Sequence, residues 1–235
     1  MRERLQPLGA AWQPLLDRAV AELVRGGVEL GAPWSDPVTR GARWERLGRL
    51  LDLVVVWNER IDLTGARNRA ELVDLFLADA LVLSAPHAAL PGSASWVDVG
   101  SGAGAPGVVL QLLRPELALT LVEPRAKRVA FLRTVIGTLG LRSQLVERRS
   151  DTLPAGAADV AISRATFAPE IWLAEGARLA RHSVWVLLAR GTDPSLPGWQ
   201  LAHAVDYVWP LTGVARRALC FKRVADPLGG ALGMA

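Results

Sequence analysis

The stretch Trp96-Val-Asp-Val-Gly-Ser-Gly-Ala-Gly-Ala-Pro-Gly107 decides the fold that this sequence predicts. An apolar, β-branched run leads directly into a glycine-rich turn, and the residues after the turn have helical periodicity. Small residues let the backbone approach a ligand closely, and the start of a helix offers unpaired N–H groups and a positive dipole end. Pro106 suits the first helical position. The stretch therefore predicts a strand, a loop that holds a nucleotide, and a helix.

The second half of the chain alternates between short apolar runs and amphipathic segments. This alternation is typical of a parallel sheet with crossover helices. The best-defined helix covers residues 125–139, and Gly140 is placed to end it. We expect strands at residues 95–99, 117–122, 144–147, 159–162, 183–189, 201–208 and 218–224.

The first part of the chain has a different pattern, in which three segments show helical periodicity. They cover residues 8–25, 37–60 and 69–83. Asn68 can cap the third segment, and Asp36 can cap the second. A boundary rich in proline and glycine follows. We therefore divide the chain into an N-terminal helical extension (1–92), a sheet domain (93–227) and a flexible tail (228–235).

Composition places the chain among ordinary globular proteins. It has 235 residues, of which 51% are hydrophobic and 21% charged. Its single cysteine cannot form an internal disulfide, and neither a signal peptide nor a membrane-spanning apolar run is present in the sequence. We expect a cytoplasmic protein. The net charge of +4 and the pI near 10.1 fit a polyanionic partner and a solvated arginine-rich surface equally well.

Two acids near the glycine loop, Asp98 and Glu123, bear on which nucleotide the loop holds. Gly102-x-Gly104-x-x-Gly107 also satisfies the dinucleotide fingerprint, and Glu123 suits a ribose in either kind of site. Asp98, however, favours S-adenosylmethionine, because that ligand brings a cationic amino group to this end of the sheet, whereas a pyrophosphate would be repelled. The alternatives are that Asp98 caps a turn and that Glu123 faces water.

The sequence lacks the residues that several kinds of methyl transfer usually require. The loop Ser163-Arg-Ala-Thr-Phe167 has no Asn/Asp-Pro-Pro-aromatic sequence. Cys220 lies in the last apolar run and is better suited to packing than to nucleophilic attack. His87, His182 and His203 lie in a linker, at a predicted helix end and in a late strand, which are poor places for a catalytic base. An acceptor with a free lone pair, such as guanine N7, needs alignment only.

These motifs together resemble the RsmG (GidB) ribosomal RNA methyltransferases. The resemblance covers roughly residues 44–191. Besides the glycine loop, it rests on Trp57-Asn58, Leu63-Thr64, Arg114-Pro115, Glu123 with Lys127-Arg128, Phe131-Leu132 and Ile162-Ser-Arg-Ala165. It implies a Rossmann-like class I S-adenosylmethionine-dependent methyltransferase fold, with a seven-stranded mostly parallel sheet and an N-terminal helical extension. It also implies methylation of N7 of a guanine in bacterial 16S rRNA, free or in the small ribosomal subunit.

The resemblance extends the predicted site to further positions. It places Gly100 and Ala105 in the cofactor pocket, Ser150 and Asp151 at the adenine, and Arg164 in the active-site cleft. Arg164 is the sole catalytic candidate, and its alternative is a surface arginine that covers the sheet edge. The predicted cofactor-binding residues are Asp98, Gly100, Gly102, Gly104, Ala105, Glu123, Ser150, Asp151 and Arg164.

The chain departs from the family pattern at positions that we expect around the substrate side and in the helical extension. Phe76 and Ala80 stand where the family has histidine and serine, Asp62 where it has asparagine, and Arg190 where it has lysine. Arginine keeps the charge of lysine but changes its hydrogen-bonding geometry. Two other functions therefore stay open: a divergent methyltransferase acting on another RNA or a small molecule, and a non-catalytic S-adenosylmethionine-binding protein.

Basic residues suggest where RNA would bind. The candidates are Arg125, Lys127, Arg128 and Arg190, of which residues 125 and 128 lie near one face of a predicted helix. The alternative is a solvated arginine-rich surface. We expect no metal, and the lack of a coiled-coil pattern leaves a monomer as the expected state.

Overall fold

The computed structural model describes residues 5–30, 37–85 and 94–224. The predicted cap at Asp36, the boundary between residues 92 and 93, and the tail at 228–235 lie outside the described residues. The strands are β1 (Ser95–Val99), β2 (Ala118–Val122), β3 (Gln144–Val146), β4 (Ala158–Arg164), β5 (Ala180–Leu188), β6 (Trp199–Val208) and β7 (Ala215–Arg223). The α-helices are α1 (Gln13–Arg25), α2 (Pro37–Asn58), α3 (Arg69–Ser84), α4 (Gly107–Leu113), α5 (Ala126–Leu139) and α6 (Pro169–Leu179).

The strands form one sheet in the order β3-β2-β1-β4-β5-β7-β6. The first five strands are parallel, and β7 pairs antiparallel with both β5 and β6. This order confirms the predicted seven-stranded, mostly parallel sheet. Because β1 lies between β2 and β4, the chain leaves its carboxyl end at the point where the strand order reverses. Open α/β sheets bind ligands at such a point.

Several boundaries differ from the prediction. A 3₁₀ turn at Gly9–Trp12 precedes α1, and α1 begins at Gln13, next to a proline that suits a first helical turn. Strand β4 is longer than expected and ends at Arg164, which pairs with Leu187 of β5. The placement of His182 at a helix end was wrong. Helix α6 ends at Leu179, and the extended residue that follows it already begins β5, so His182 lies in that strand.

The helices of the extension pack on the sheet and share its core. Buried residues of all three helices and of β1 belong to one hydrophobic cluster, in which the largest fully buried side chains are Trp12, Trp44, Trp96 and Trp185. Phe76 and Ala80 lie within this cluster and are completely buried. Both positions lie on α3, which is covered on almost every side. Within the described residues, no helix has the length and apolarity to cross a membrane.

Candidate active site

The glycine loop begins at the carboxyl end of β1 and is tied to the neighbouring strand. The N–H groups of Gly100 and Ser101 both donate to the carbonyl oxygen of Val122, at 2.8 and 3.2 Å. Gly100 has φ +72°, and a Cβ there would lie 2.2 Å from Oγ1 of Thr166. Thr166 follows β4, so the loops after β1 and β4 touch at a position that only glycine can occupy.

Asp98 lies beneath this loop. Its side chain is buried, with 1% of the residue exposed, and Oδ2 accepts a hydrogen bond from the N–H of Gly107 at 3.1 Å. A Cβ at Gly107 would lie 2.4 Å from the same oxygen. Burial raises the pKa of Asp98 to about 7. The carboxylate thus joins the last strand residues to the first residue of α4 and holds the loop between them.

Glu123 follows β2 and also binds the loop. Oε2 accepts from the N–H of Gly102 at 2.9 Å, and Oε1 accepts from the N–H of Arg125 at 3.0 Å. The residue is 2% exposed. Both oxygens are therefore fixed by the backbone, and each has a further lone pair with which it can accept from a ligand hydroxyl.

Two adjoining cavities lie on either side of the loop. The first, here called the loop cavity, has a volume of about 450 Å³ and is lined by Gly100, Gly102, Ala105, Glu123 and Arg164, among others. The second, here called the apolar cavity, has a volume of about 330 Å³, and its lining includes Val99, Val122, Pro124, Phe167, Ile171, Ser150 and Asp151. Gly100, Pro124 and Thr166 line both. Together the cavities form one elongated cleft at the carboxyl ends of β1, β2 and β4.

The cleft brings seven of the nine predicted cofactor-binding residues together. Asp98 and Gly104 line neither cavity. Asp98 is the residue beneath the loop, and Gly104 has φ +92°, which the turn requires. For these two positions the structure supports a role in shaping the loop, and their direct contact with a ligand stays a prediction.

Ser150 and Asp151 reach the apolar cavity on a 3₁₀ turn, Ser150–Thr152. Arg178 of α6 fixes this turn, because its guanidinium donates to the carbonyl oxygens of Ser150 at 2.8 Å and Leu153 at 2.7 Å. The same guanidinium forms an ion pair with Glu175 at 2.8 Å, which lowers the pKa of that carboxyl. The polar edge of the apolar cavity is thus held by helix α6.

A third cavity, here called the arginine cavity, adjoins the loop cavity. It has a volume of about 400 Å³, and its lining residues are Leu75, Asp79, Arg164, Ala165, Phe167, Pro169, Leu187, Leu188, Ala189, Arg190, Tyr207, Trp209 and Arg216. Leu75, Arg164 and Ala165 also line the loop cavity. Arg164 therefore stands between the two spaces.

The side chain of Arg164 is held on α3. Its guanidinium donates to the carbonyl oxygen of Leu75 and forms an ion pair with Asp79 at 3.3 Å. The side chain is 19% exposed. The alternative interpretation of Arg164 as a surface residue at the sheet edge is therefore wrong, and the arginine lies in the cleft.

Asp79 connects this arginine to the last strands of the sheet. It accepts hydrogen bonds from the hydroxyl of Tyr207 at 2.7 Å and from Nε1 of Trp209 at 3.3 Å. Sequence reasoning did not assign Asp79, Tyr207, Trp209 or Thr166 to the site. The signal that was available is an acid within the apolar run Phe76-Leu-Ala-Asp-Ala-Leu81, since a buried carboxylate in such a helix requires partners.

The predicted RNA-binding residues lie on two sides of the cleft. Arg125 and Arg128 line the loop cavity, and Lys127 is exposed between them near the start of α5. Arg128 also donates to the carbonyl oxygen of Asp62 at 3.3 Å. Arg190 lines the arginine cavity. The helix stripe and Arg190 are thus separate groups.

Among the described residues, neither histidine nor cysteine lines the three cavities. His182 and His203 lie in β5 and β6 and line none of the three cavities, and His87 is outside the described residues. Cys220 is buried in β7, where burial raises the pKa of its thiol to about 11. No cluster of metal-ligating side chains occurs in residues 5–30, 37–85 or 94–224.

The strand order β3-β2-β1-β4-β5-β7-β6 with an antiparallel β7, combined with the glycine loop and the acid after β2, is the fold of a class I S-adenosylmethionine-dependent methyltransferase. The chain belongs to the GidB family, described as rRNA small subunit methyltransferase G, whose family model matches residues 43–195.

Curated relatives with the name Ribosomal RNA small subunit methyltransferase G cover most of the chain. Two come from strains of Anaeromyxobacter dehalogenans. The protein of strain 2CP-C is 38% identical over 88% of this chain and 100% of its own length. That of strain 2CP-1 is 34% identical over 81% of this chain and 87% of its own length. A protein from Chloroflexus aggregans is 30% identical over 72% of each chain.

Proposed function

We propose that this protein transfers a methyl group from S-adenosylmethionine to N7 of a guanine in bacterial 16S rRNA. The main support is that the loop cavity adjoins the arginine cavity at Arg164. Two further arginines, Arg190 and Arg216, line the arginine cavity. The cleft formed by the loop cavity and the apolar cavity fits the methyl donor, and the arginine cavity fits a polyanionic acceptor. The names of the curated relatives support ribosomal RNA of the small subunit as that acceptor.

The residues of the cleft fit S-adenosylmethionine. The close approach of Gly100 to Thr166 leaves a bare backbone at the centre of the cleft. Glu123 lines the loop cavity and has both carboxylate oxygens fixed by backbone N–H groups, which suits two ribose hydroxyls. The apolar cavity offers aliphatic and aromatic side chains with Ser150 and Asp151 at its edge, which suits an adenine ring.

S-adenosylmethionine supplies a methyl group on a positively charged sulfur, which is a strong electrophile. The chain's own residues position this donor and the acceptor. The loop and Glu123 fix the ribose end, and Arg164, held by Asp79, stands at the border with the arginine cavity. Alignment of two reactants can supply about 7–11 kcal/mol of a reaction barrier. Positioning is therefore sufficient when the acceptor is already nucleophilic.

Guanine N7 is such an acceptor, because its lone pair is free and no proton has to leave before attack. In the part of the chain that the structure describes, no histidine or cysteine lines the three cavities, and this fits such an acceptor. The exposed Arg125 and Lys127 at the start of α5 provide charge for RNA phosphates at the edge of the cleft. We propose further that the protein acts as a cytoplasmic monomer.

The proposal is tested by chemical mapping of 16S rRNA from a strain that lacks this protein. Borohydride reduction followed by aniline cleaves RNA at 7-methylguanine, so the expected result is one cleavage site that is present in the parent strain and absent in the deletion strain. Purified protein with labelled S-adenosylmethionine should restore the site on deletion-strain small subunits or on the free rRNA. A Glu123→Ala variant should not restore it at the same donor concentration.

The other outcomes identify the alternatives. An unchanged cleavage pattern in the deletion strain would reject 16S rRNA guanine N7 as the target. Label transfer to a different RNA or to a small molecule would identify a divergent methyltransferase. Donor binding without transfer to any acceptor would identify a binding protein.

A further inference from the structure

We propose that the arginine cavity is the acceptor subsite and that Arg216, stacked on Trp209, binds the target nucleotide there. This inference rests on the proposed function, because it takes an RNA guanine as the methyl acceptor. It also goes beyond that function. Trp209 and Arg216 lie outside residues 43–195, the part of the chain that matches the family model.

The position of the cavity fits an acceptor. A methyl acceptor has to approach the donor to about 3–3.5 Å, so it must occupy space that borders the donor cleft. The arginine cavity shares Leu75, Arg164 and Ala165 with the loop cavity. A volume of about 400 Å³ is in the range of small-molecule sites, and it leaves room for a base that has been turned out of the RNA chain.

The charge of the cavity fits a nucleotide. Three arginines line it, Arg164, Arg190 and Arg216, against the single acid Asp79. Asp79 is already engaged by three donors. In the part of the chain that the structure describes, neither Arg190 nor Arg216 forms an ion pair with a carboxylate.

The neighbouring Arg217 shows the contrast. It is held by Asp193 at 3.0 Å and Asp206 at 2.9 Å. Arg216 instead makes a hydrogen bond to the carbonyl oxygen of Ala215, the residue before it. Of two adjacent arginines on β7, the one that lines the cavity therefore has no carboxylate within ion-pair distance among the described residues, and its charge favours the ionised form of the more distant Asp74.

The shape of the cavity favours a base over a bare phosphate ion. The guanidinium carbon of Arg216 lies 3.8 Å from the centroid of the Trp209 ring, which is a stacked arrangement. Trp209 is itself held, because its Nε1 donates to Asp79. Unpaired RNA bases stack on aromatic rings and on arginine planes. The planar guanidinium of Arg216, which lines the cavity together with Phe167 and Leu188, thus offers both stacking and charge to one nucleotide.

The same hairpin contains a matched control. Arg223 stacks on Trp199 at 4.9 Å, and neither residue lines any of the three cavities. We therefore compare Arg216→Met and Arg216→Lys with Arg223→Met, after checking that each variant keeps the melting temperature of the parent protein. The two measurements are the KM for deletion-strain small subunits and the affinity for S-adenosylhomocysteine by calorimetry.

Arg216→Met should raise the KM for the RNA substrate about tenfold, with affinity for S-adenosylhomocysteine within about twofold of the parent value. Arg216→Lys should recover little of this loss, because lysine keeps the charge but lacks the planar group. Arg223→Met should change neither quantity. If Arg216→Met and Arg223→Met behave alike, the inference is wrong and the proposed function still stands.

A second experiment does not depend on methylation of 16S rRNA. The protein with bound S-adenosylhomocysteine is photolabelled with 8-azidoguanosine 5′-monophosphate, and the labelled peptides are mapped by mass spectrometry. Label within residues 187–216, suppressed by unmodified guanosine monophosphate and by Arg216→Met, supports the inference even if 16S rRNA is not the acceptor. Label confined to the apolar cavity, or no specific label, overturns it.

Discussion

Asp98 accepts a hydrogen bond from the backbone N–H of Gly107 at 3.1 Å, and this single contact joins β1 to the start of α4 beneath the glycine loop. The carboxylate is almost completely buried, and burial raises its pKa from 3.8 to about 7. The group that shapes the loop is therefore also a group whose protonation depends on pH near neutrality.

We predict that Asp98 makes the protein less stable as the pH rises. Its folded pKa is above its unfolded value of 3.8, so the folded state binds the proton more tightly between pH 3.8 and about 7. Stability from this source is fully present below that window and is lost as the pH rises through it, by at most about 1.4 kcal/mol per pH unit. Urea unfolding across this range should show a shallower slope for Asp98→Asn. Parallel slopes would contradict the assignment.

Gly100→Ala should disrupt the cleft through Thr166. The added Cβ would lie 2.2 Å from Oγ1 of Thr166, at a backbone φ of +72° that itself disfavours alanine by roughly 1–2 kcal/mol. We expect affinity for S-adenosylmethionine to fall by about tenfold or more. The double variant Gly100→Ala/Thr166→Ala should recover part of the loss, because it removes the two closest contacts, at 2.2 and 2.7 Å, and leaves the backbone strain and the contact with Cβ of residue 166 at 3.0 Å. Equal affinities of the single and double variants, with Thr166→Ala as the control, would show that the clash has no influence.

Local patterns in the sequence were enough to predict most of the fold. Asn68 was expected to cap a helix, and its side chain accepts from the N–H of Glu71 at 2.9 Å. Gly140 was expected to end one, and it has the left-handed φ of +57° that favours glycine there. Caps and strand-to-loop transitions involve residues a few positions apart, so a single sequence records them directly.

The arginine cavity was not predictable in the same way. Its central contact joins Asp79 to Tyr207 across 128 positions, and no local pattern records such a pair. The loop residues, Glu123 and Arg164 were predictable because each follows a strand of the parallel sheet and so lies at the same edge. The burial of Phe76 and Ala80 was not predictable, because α3 is buried on nearly all sides and its apolar positions do not reveal which residues face the cleft.

Glu123→Ala should weaken binding of S-adenosylmethionine about tenfold or more, because charge-assisted hydrogen bonds contribute roughly 1.5–3 kcal/mol each. The change also removes the acceptor of two backbone N–H groups. In the parent protein, the N–H groups of Gly102 and Arg125 donate to this carboxylate. Calorimetry with the parent protein, Glu123→Gln and Glu123→Ala separates the two effects. The glutamine variant keeps one carbonyl acceptor and should lie between the others. An unchanged affinity for the alanine variant would remove Glu123 from the cofactor site.

Asp79→Asn should both destabilise the protein and slow methyl transfer. The carboxylate accepts from Tyr207 and Trp209 and pairs with Arg164, and its replacement leaves a mostly buried guanidinium without a counter-charge. We expect a loss of about 1–3 kcal/mol in the free energy of unfolding.

The matched control is Asp206→Asn. Asp206 also pairs with an arginine, Arg217, at 2.9 Å, but its side chain is 71% exposed. Exposed pairs contribute about 0–1 kcal/mol, so this variant should unfold within that margin of the parent protein and transfer methyl groups at the parent rate. If the two variants lose equal stability, burial does not increase the contribution of the Asp79 contacts to the free energy of unfolding. If Asp79→Asn is destabilised and still transfers methyl groups normally below its melting temperature, Arg164 does not depend on Asp79 for its position in the reaction.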